Sequence, residues 1–283
     1  MPVKLMWKYL YNAAAILFFS ALSPIAAHAQ SHPAPGMPIS SINSGMNERV
    51  VNIPLRDGGS VRALLCTPAH PRAILIMFPG GSGDIGLEQN GSIRHGNNFV
   101  VRTRGLWNQR HYAVLIPDTI NHLNLRGHRS SASYARVIDD ILTFVHKERT
   151  APVFLFGTSQ GAIAAVNSAA HTPPGTLSGV VVSEAVSVMG GSKETVFNAP
   201  LQDIPTPALI VANQSDRCNV APPHNADRIA ASMTSSPDVQ ILRVTGGLTK
   251  SKKTCGSLSP HGYFGIEDDV IAKISAWMET KLK

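Results

Sequence analysis

Short apolar runs recur along the chain with no polar residue inside them. They are "AILIMF" (Ala73–Phe78), "YAVLIP" (Tyr112–Pro117), "VFLF" (Val153–Phe156), "GVVVS" (Gly179–Ser183) and "ALIVA" (Ala208–Ala212), and "VQILRV" (Val239–Val244) resembles them. Strands buried on both faces read this way, as in a parallel sheet sandwiched between helices. Ahead of them, "RVVNIPL" and "SVRALLC" flank Asp57-Gly58-Gly59. That arrangement predicts an antiparallel hairpin at one edge of the sheet.

Between the runs the apolar period changes to that of a helix. Ser131–Lys147 carries Tyr134, Ile138, Ile141, Leu142 and Val145 on one face, and Ile266–Leu282 carries Val270, Ile271, Ile274, Trp277 and Met278. Asn98–Gln109 and the small-residue stretch Gln160–Ala170 complete the set. Alternating strands and helices predict an α/β fold, with a mostly parallel central sheet flanked by helices and reached by right-handed crossovers.

The N-terminal part departs from this pattern. Lys4 and Lys8, the apolar run Ala13–Leu22 and the small-residue end Ala27-His28-Ala29 predict a signal peptide over residues 1–29. The run is shorter than the roughly 20 residues of a membrane span, so an exported protein, periplasmic or extracellular and without stable membrane insertion, is expected. Residues 30–48, rich in Pro, Gly, Ser and Asn, read as a flexible lead-in, and residues 49–283 as one α/β domain. Loss of Lys4 and Lys8 with the leader lowers the formal charge of +7 by two, to +5. No basic run is interleaved with aromatics, so no nucleic-acid partner is expected.

"FLFGTSQGAIAAV" (Phe154–Val166) joins an apolar strand to an alanine-rich helix through Gly157-Thr158-Ser159-Gln160-Gly161. A turn this tight holds the serine in a strained conformation above the sheet, and a Cβ on either flanking residue would strike the neighbouring strand or helix. Ser159 is therefore the candidate nucleophile; its alternative role is a helix cap. A serine needs a base, and the base an orienting acid. Asp216 follows the "ALIVA" strand, Glu184 follows "GVVVS" and offers a second candidate acid, and His261 lies just before the last helix. The order serine, Asp216, His261 suits this strand sequence. For the oxyanion, the Gln160 amide is placed by the turn itself. The second donor is expected from "FPGGSGD", with Gly81 first and Ser82 next. His95, His122 and His128 lack ligand spacing, so no metal is expected.

There are three cysteines. Cys66 sits within an apolar strand and reads as buried and inert. In an oxidising compartment this leaves Cys218 and Cys255 as a disulfide tying the acid loop to the base loop, with two free or differently paired thiols as the alternative.

These residues together resemble the α/β-hydrolase family over Val50–Leu282: "PGGSG" as oxyanion loop, "GTSQG" as nucleophile turn, Asp216 as acid and "HGYFG" as the histidine loop. "HGYFG" is similar to the dienelactone-hydrolase and small-esterase branch. The chain departs from that branch in having serine as nucleophile, and from "HGGG" lipases in its oxyanion loop. The short Ala185–Pro207 interval argues against a large cap. The resemblance implies a serine hydrolase, which the leader makes an exported one, that cleaves an ester of a small-molecule or acyl substrate through an acyl-enzyme, with no cofactor. A peptidase or amidase on the same residues is the first rival, and a non-catalytic binding protein of the same fold the second. The sequence leaves the oligomeric state open.

Overall fold

The computed structural model describes residues 47–282. The signal peptide expected over residues 1–29 and nearly all of the 30–48 lead-in lie outside the described residues. The last two residues assigned to the lead-in belong to the sheet. Asn47 and Glu48 already pair with Thr67 and Cys66 as the first rungs of strand β1, Asn47–Pro54, against β2, Ser60–Thr67.

Six further strands follow: β3 (Ala73–Phe78), β4 (Tyr112–Pro117), β5 (Val153–Thr158), β6 (Gly179–Ser183), β7 (Ala208–Asn213) and β8 (Val239–Val244). They form one sheet in the order β1-β2-β4-β3-β5-β6-β7-β8, antiparallel along β1-β2-β4 and parallel from β4 to β8. Every residue of β3, β4, β5, β6 and β7 is buried. That is why their sequences carry no polar alternation.

The period-2 geometry of these strands divides the core in two. Ile74, Ile76, Phe78, Leu155, Val180, Val182 and Ile210 face one side, packed under α3 (Ala132–Glu148), α4 (Gln160–His171) and α5 (Ala226–Ala231). Leu75, Met77, Phe154, Phe156, Val181 and Leu209 face the other, under α1 (Phe99–Arg102), α2 (Arg104–Gln109) and α6 (Glu267–Glu279). In α3 the buried stripe is Ala135, Ile138, Ile141, Leu142 and Val145. Each of its larger side chains contributes about 1.5–3 kcal/mol by leaving water.

Two details differ from the sequence expectation. The single helix over Asn98–Gln109 breaks at Thr103, whose hydroxyl donates to the Phe99 carbonyl at 2.7 Å. Helix α5, between β7 and β8, has too short an apolar pattern to stand out. Between β6 and β7 there are only two single-turn 3-10 segments, Val196–Asn198 and Leu201–Asp203, so no helical cap is built there. No helix among the described residues is long and apolar enough to cross a membrane.

Cys66 is buried in β2, and that burial, with Glu48 next, pushes its thiol well above the ordinary range. Native protein should therefore give no fast reaction with a thiol reagent such as Ellman's, and one equivalent per chain after denaturation without reductant. A fast native equivalent would contradict this burial.

Candidate active site

Strand β5 ends at Thr158 and α4 begins at Gln160, so a single residue makes the turn. Ser159 has φ 55° and ψ −121°, a conformation that L-residues avoid unless their surroundings enforce it. Its N–H donates to the Ser183 carbonyl of β6 at 2.9 Å. The flanking glycines are required by contact. A Cβ on Gly157 would lie 2.6 Å from the Ala162 Cα, inside the first turn of α4, and a Cβ on Gly161 would lie 2.7 Å from the Phe78 carbonyl carbon and 2.8 Å from the Pro79 oxygen. One glycine admits the helix and the other admits the end of β3.

His261 stands in a 3-10 turn, Pro260–Gly262, capped by Ser259, whose Oγ accepts the His261 N–H at 3.2 Å. Arg102 of α1 reaches this turn, donating to the Gly262 carbonyl and, at 3.0 Å, to Glu267. Asp216 follows β7 by three residues, and its Oδ1 accepts the Cys218 N–H at 2.8 Å. Asn213, the last residue of β7, donates its side-chain amide to the Gly246 and Pro260 carbonyls, both at 2.9 Å. It thereby joins the acid strand to the histidine loop.

These three elements bring Ser159, His261 and Asp216 together. The Ser159 Oγ lies 2.9 Å from His261 Nε2, and His261 Nδ1 lies 2.7 Å from Asp216 Oδ2. A carboxylate only accepts, so Nδ1 carries the proton and Nε2 is free to accept from the serine hydroxyl. His261 and Asp216 are both under 5% exposed. Burial raises the Asp216 carboxyl. The hydrogen bond and charge of His261, aided by Glu184 and the Cys218 amide, outweigh burial and hold it below the ordinary carboxylate range. Asp216 thus stays ionised. Glu184, the other candidate acid, makes no hydrogen bond to His261; one of its oxygens lies within 4.8 Å of both an Asp216 oxygen and a His261 ring nitrogen.

The "FPGGSGD" loop lies over the serine: a Cβ on Gly80 would sit 3.1 Å from the Ser159 Cβ. Four of its carbonyls, Pro79 to Ser82, are engaged. Gly83 N–H donates to Gly80 O at 3.3 Å, Leu125 N–H to Ser82 O at 2.9 Å, and the Arg129 guanidinium to Gly81 O at 3.1 Å and Pro79 O at 3.4 Å. With the Gly80 oxygen held in this turn, the Gly81 N–H points the other way, and no acceptor among the described residues takes it. Gly81 adopts φ 64°, which a side chain would resist. Gln160, the other candidate donor through its backbone N–H, anchors its side chain to the Ser192 hydroxyl at 2.8 Å. Sequence reasoning missed Arg129, Asn213 and Arg102. Only Asn213 left a signal, as a polar residue ending an apolar run.

Cys218 and Cys255 form a disulfide across a separation of 37 residues, linking the loop after β7 to the segment before His261. Closing a loop of this length is worth about 4 kcal/mol in chain entropy. The Cys218→Ala/Cys255→Ala double variant should lose about 2–4 kcal/mol in urea unfolding, and an unchanged midpoint would contradict this. Elsewhere, Asp84, Asp118 and His122 bring ligand-type atoms within 4.8 Å of one another. The buried Asp118 carboxylate is already occupied by the N–H groups of Ile85, Leu87 and Thr119, which fastens the loop after β3 to the end of β4.

No family model matches the chain, and no curated protein matches it. Solved structures do. A dienelactone hydrolase from Anabaena variabilis is 15% identical, over 84% of this chain and 99% of its own, with a TM-score of 0.58. The esterase PF2001 of Pyrococcus furiosus is 9% identical, over 89% and 96%, with a TM-score of 0.62. An acylaminoacyl peptidase of Pyrococcus horikoshii is 10% identical over 84% of this chain and 42% of its own, with a TM-score of 0.60. The sheet order, the edge hairpin and these likenesses make this an α/β-hydrolase fold.

Proposed function

We propose that this protein is a serine hydrolase that cleaves a carboxylic ester through an acyl-enzyme. The observation that carries the reading is the unbroken chain from the Ser159 hydroxyl through both nitrogens of His261 to a buried, ionised Asp216. His261 Nε2 takes the hydroxyl proton as Ser159 Oγ attacks the acyl carbon. Asp216 steadies the imidazolium that results. The Gly81 and Gln160 amides receive the oxyanion. As the tetrahedral adduct collapses, the imidazolium protonates the departing alcohol. Water, deprotonated by His261, then attacks the acyl-enzyme and releases the acid and Ser159.

Export is part of the same reading, supported by the leader-like residues 1–29 and by a disulfide that an oxidising compartment would preserve. The likeness to a peptidase keeps amide cleavage as the rival. A panel of short- and long-chain acyl esters and peptide amides decides between them. Ester turnover that is lost in His261→Ala is the expected result. Turnover of amides in preference to esters would favour the rival, and no turnover of either by folded protein would favour a binding role.

A further inference from the structure

We infer that Glu184 is a positioning residue: it remains protonated and donates a hydrogen bond to the Asp216 carboxylate, fixing the acid that orients His261. This rests on the proposed roles of Ser159, His261 and Asp216. Glu184 is the first residue after β6 and only 2% exposed. Its backbone is held at φ 42° with its N–H donating to the Val211 carbonyl at 3.0 Å. An uncommon conformation is therefore maintained to aim this side chain inward.

The partners of the carboxyl group define its state. One oxygen accepts the Asn213 N–H at 2.6 Å. The other is buried and receives no donor among the described residues. One Glu184 oxygen, one Asp216 oxygen and one His261 ring nitrogen all lie within 4.8 Å of one another. Asp216 already accepts from His261 and Cys218. Two carboxyl groups that only accept cannot join; with a proton between them they can, and like charges this close and this dry do not both ionise. The proton belongs on Glu184, since Asp216 has the stronger donors. The titratable groups facing Glu184 are Asp216, His261 and Tyr263. The nearby Tyr263 hydroxyl opposes the rise of the Glu184 carboxyl, but it pairs with Ser183 at 2.8 Å. Burial first, and Asp216 second, push the Glu184 carboxyl well above its ordinary range. A neutral Glu184 leaves a single negative charge behind the imidazole and closes the Asp216 carboxylate on its third side.

Glu184→Gln keeps a neutral donor, and Glu184→Leu removes it. In the parent, Glu184 holds its proton when folded and ionises in the ordinary carboxyl range when unfolded. Its contribution to stability is thus complete below that range and is lost as pH rises toward the raised folded value. Glu184→Gln has no such loss. Its Tm relative to the parent should therefore rise between pH 5 and pH 8, by about 2 °C or more. A constant or falling difference overturns the proposal, and this readout does not depend on any hydrolytic activity. In turnover, Glu184→Gln should keep kcat within about threefold with an unmoved acidic limb of kcat/KM, while Glu184→Leu lowers kcat by about tenfold or more. An acidic limb moved down by about one unit in Glu184→Gln would reveal a lost negative charge and contradict a neutral Glu184. An unchanged kcat in Glu184→Leu would contradict its positioning role.

Discussion

Ester hydrolysis should fall by on the order of 10⁴-fold or more in Ser159→Ala, with the fold intact. The side chain of Ser159 makes one polar contact among the described residues, the 2.9 Å approach to His261 Nε2, while its backbone bond to Ser183 survives the substitution. Alanine bears the same backbone strain as serine at φ 55°. Removing the hydroxyl therefore deletes the attacking atom and little else. The measurement is steady-state hydrolysis of whichever ester the parent turns over, with circular dichroism and Tm as controls for folding. A loss of less than tenfold in a folded variant would mean that some other group attacks.

The second large effect falls on stability. Gly161→Ala should cost about 3 kcal/mol or more, because the new methyl meets backbone rather than a side chain that could turn away. It would press on the end of β3, from which the Gly80–Gly81 loop extends over the serine. Activity should therefore decline with stability. Gly191→Ala provides the control: nothing lies within 4 Å of its added Cβ and its φ is not positive. The urea midpoints of the two variants should differ clearly. Equal midpoints would show that the β5–α4 turn packs loosely enough against β3 to admit a methyl group.

Much of the fold was legible because one physical rule was at work. A strand covered on both faces has no polar positions, so β3 to β7 stand out as unbroken apolar runs. The β5–α4 turn was legible because steric exclusion leaves glycine as the only residue at Gly157 and Gly161, and such exclusion is written in the residue type. The break at Thr103 was not, since an ordinary residue in a shallow helical turn leaves no mark. Arg129, Asn213 and Arg102 were invisible for another reason. Each works on a carbonyl contributed by a distant segment: Gly81, Pro260 and Gly262. Their value depends on the fold, and the local sequence does not encode it. Glu184 lies between these cases. Its place after β6 marked it as a candidate acid, yet only the three-dimensional arrangement gives the His261 Nδ1 bond to Asp216 and leaves Glu184 beside the pair.

The central claim is that Ser159 is made nucleophilic by His261. Protein incubated with a fluorophosphonate probe, digested and mapped by mass spectrometry tests it most directly. The account predicts a single phosphonyl adduct on Ser159, absent from Ser159→Ala and slowed by orders of magnitude in His261→Ala. A folded protein that takes no label, or one labelled at Ser159 equally fast without His261, would contradict it.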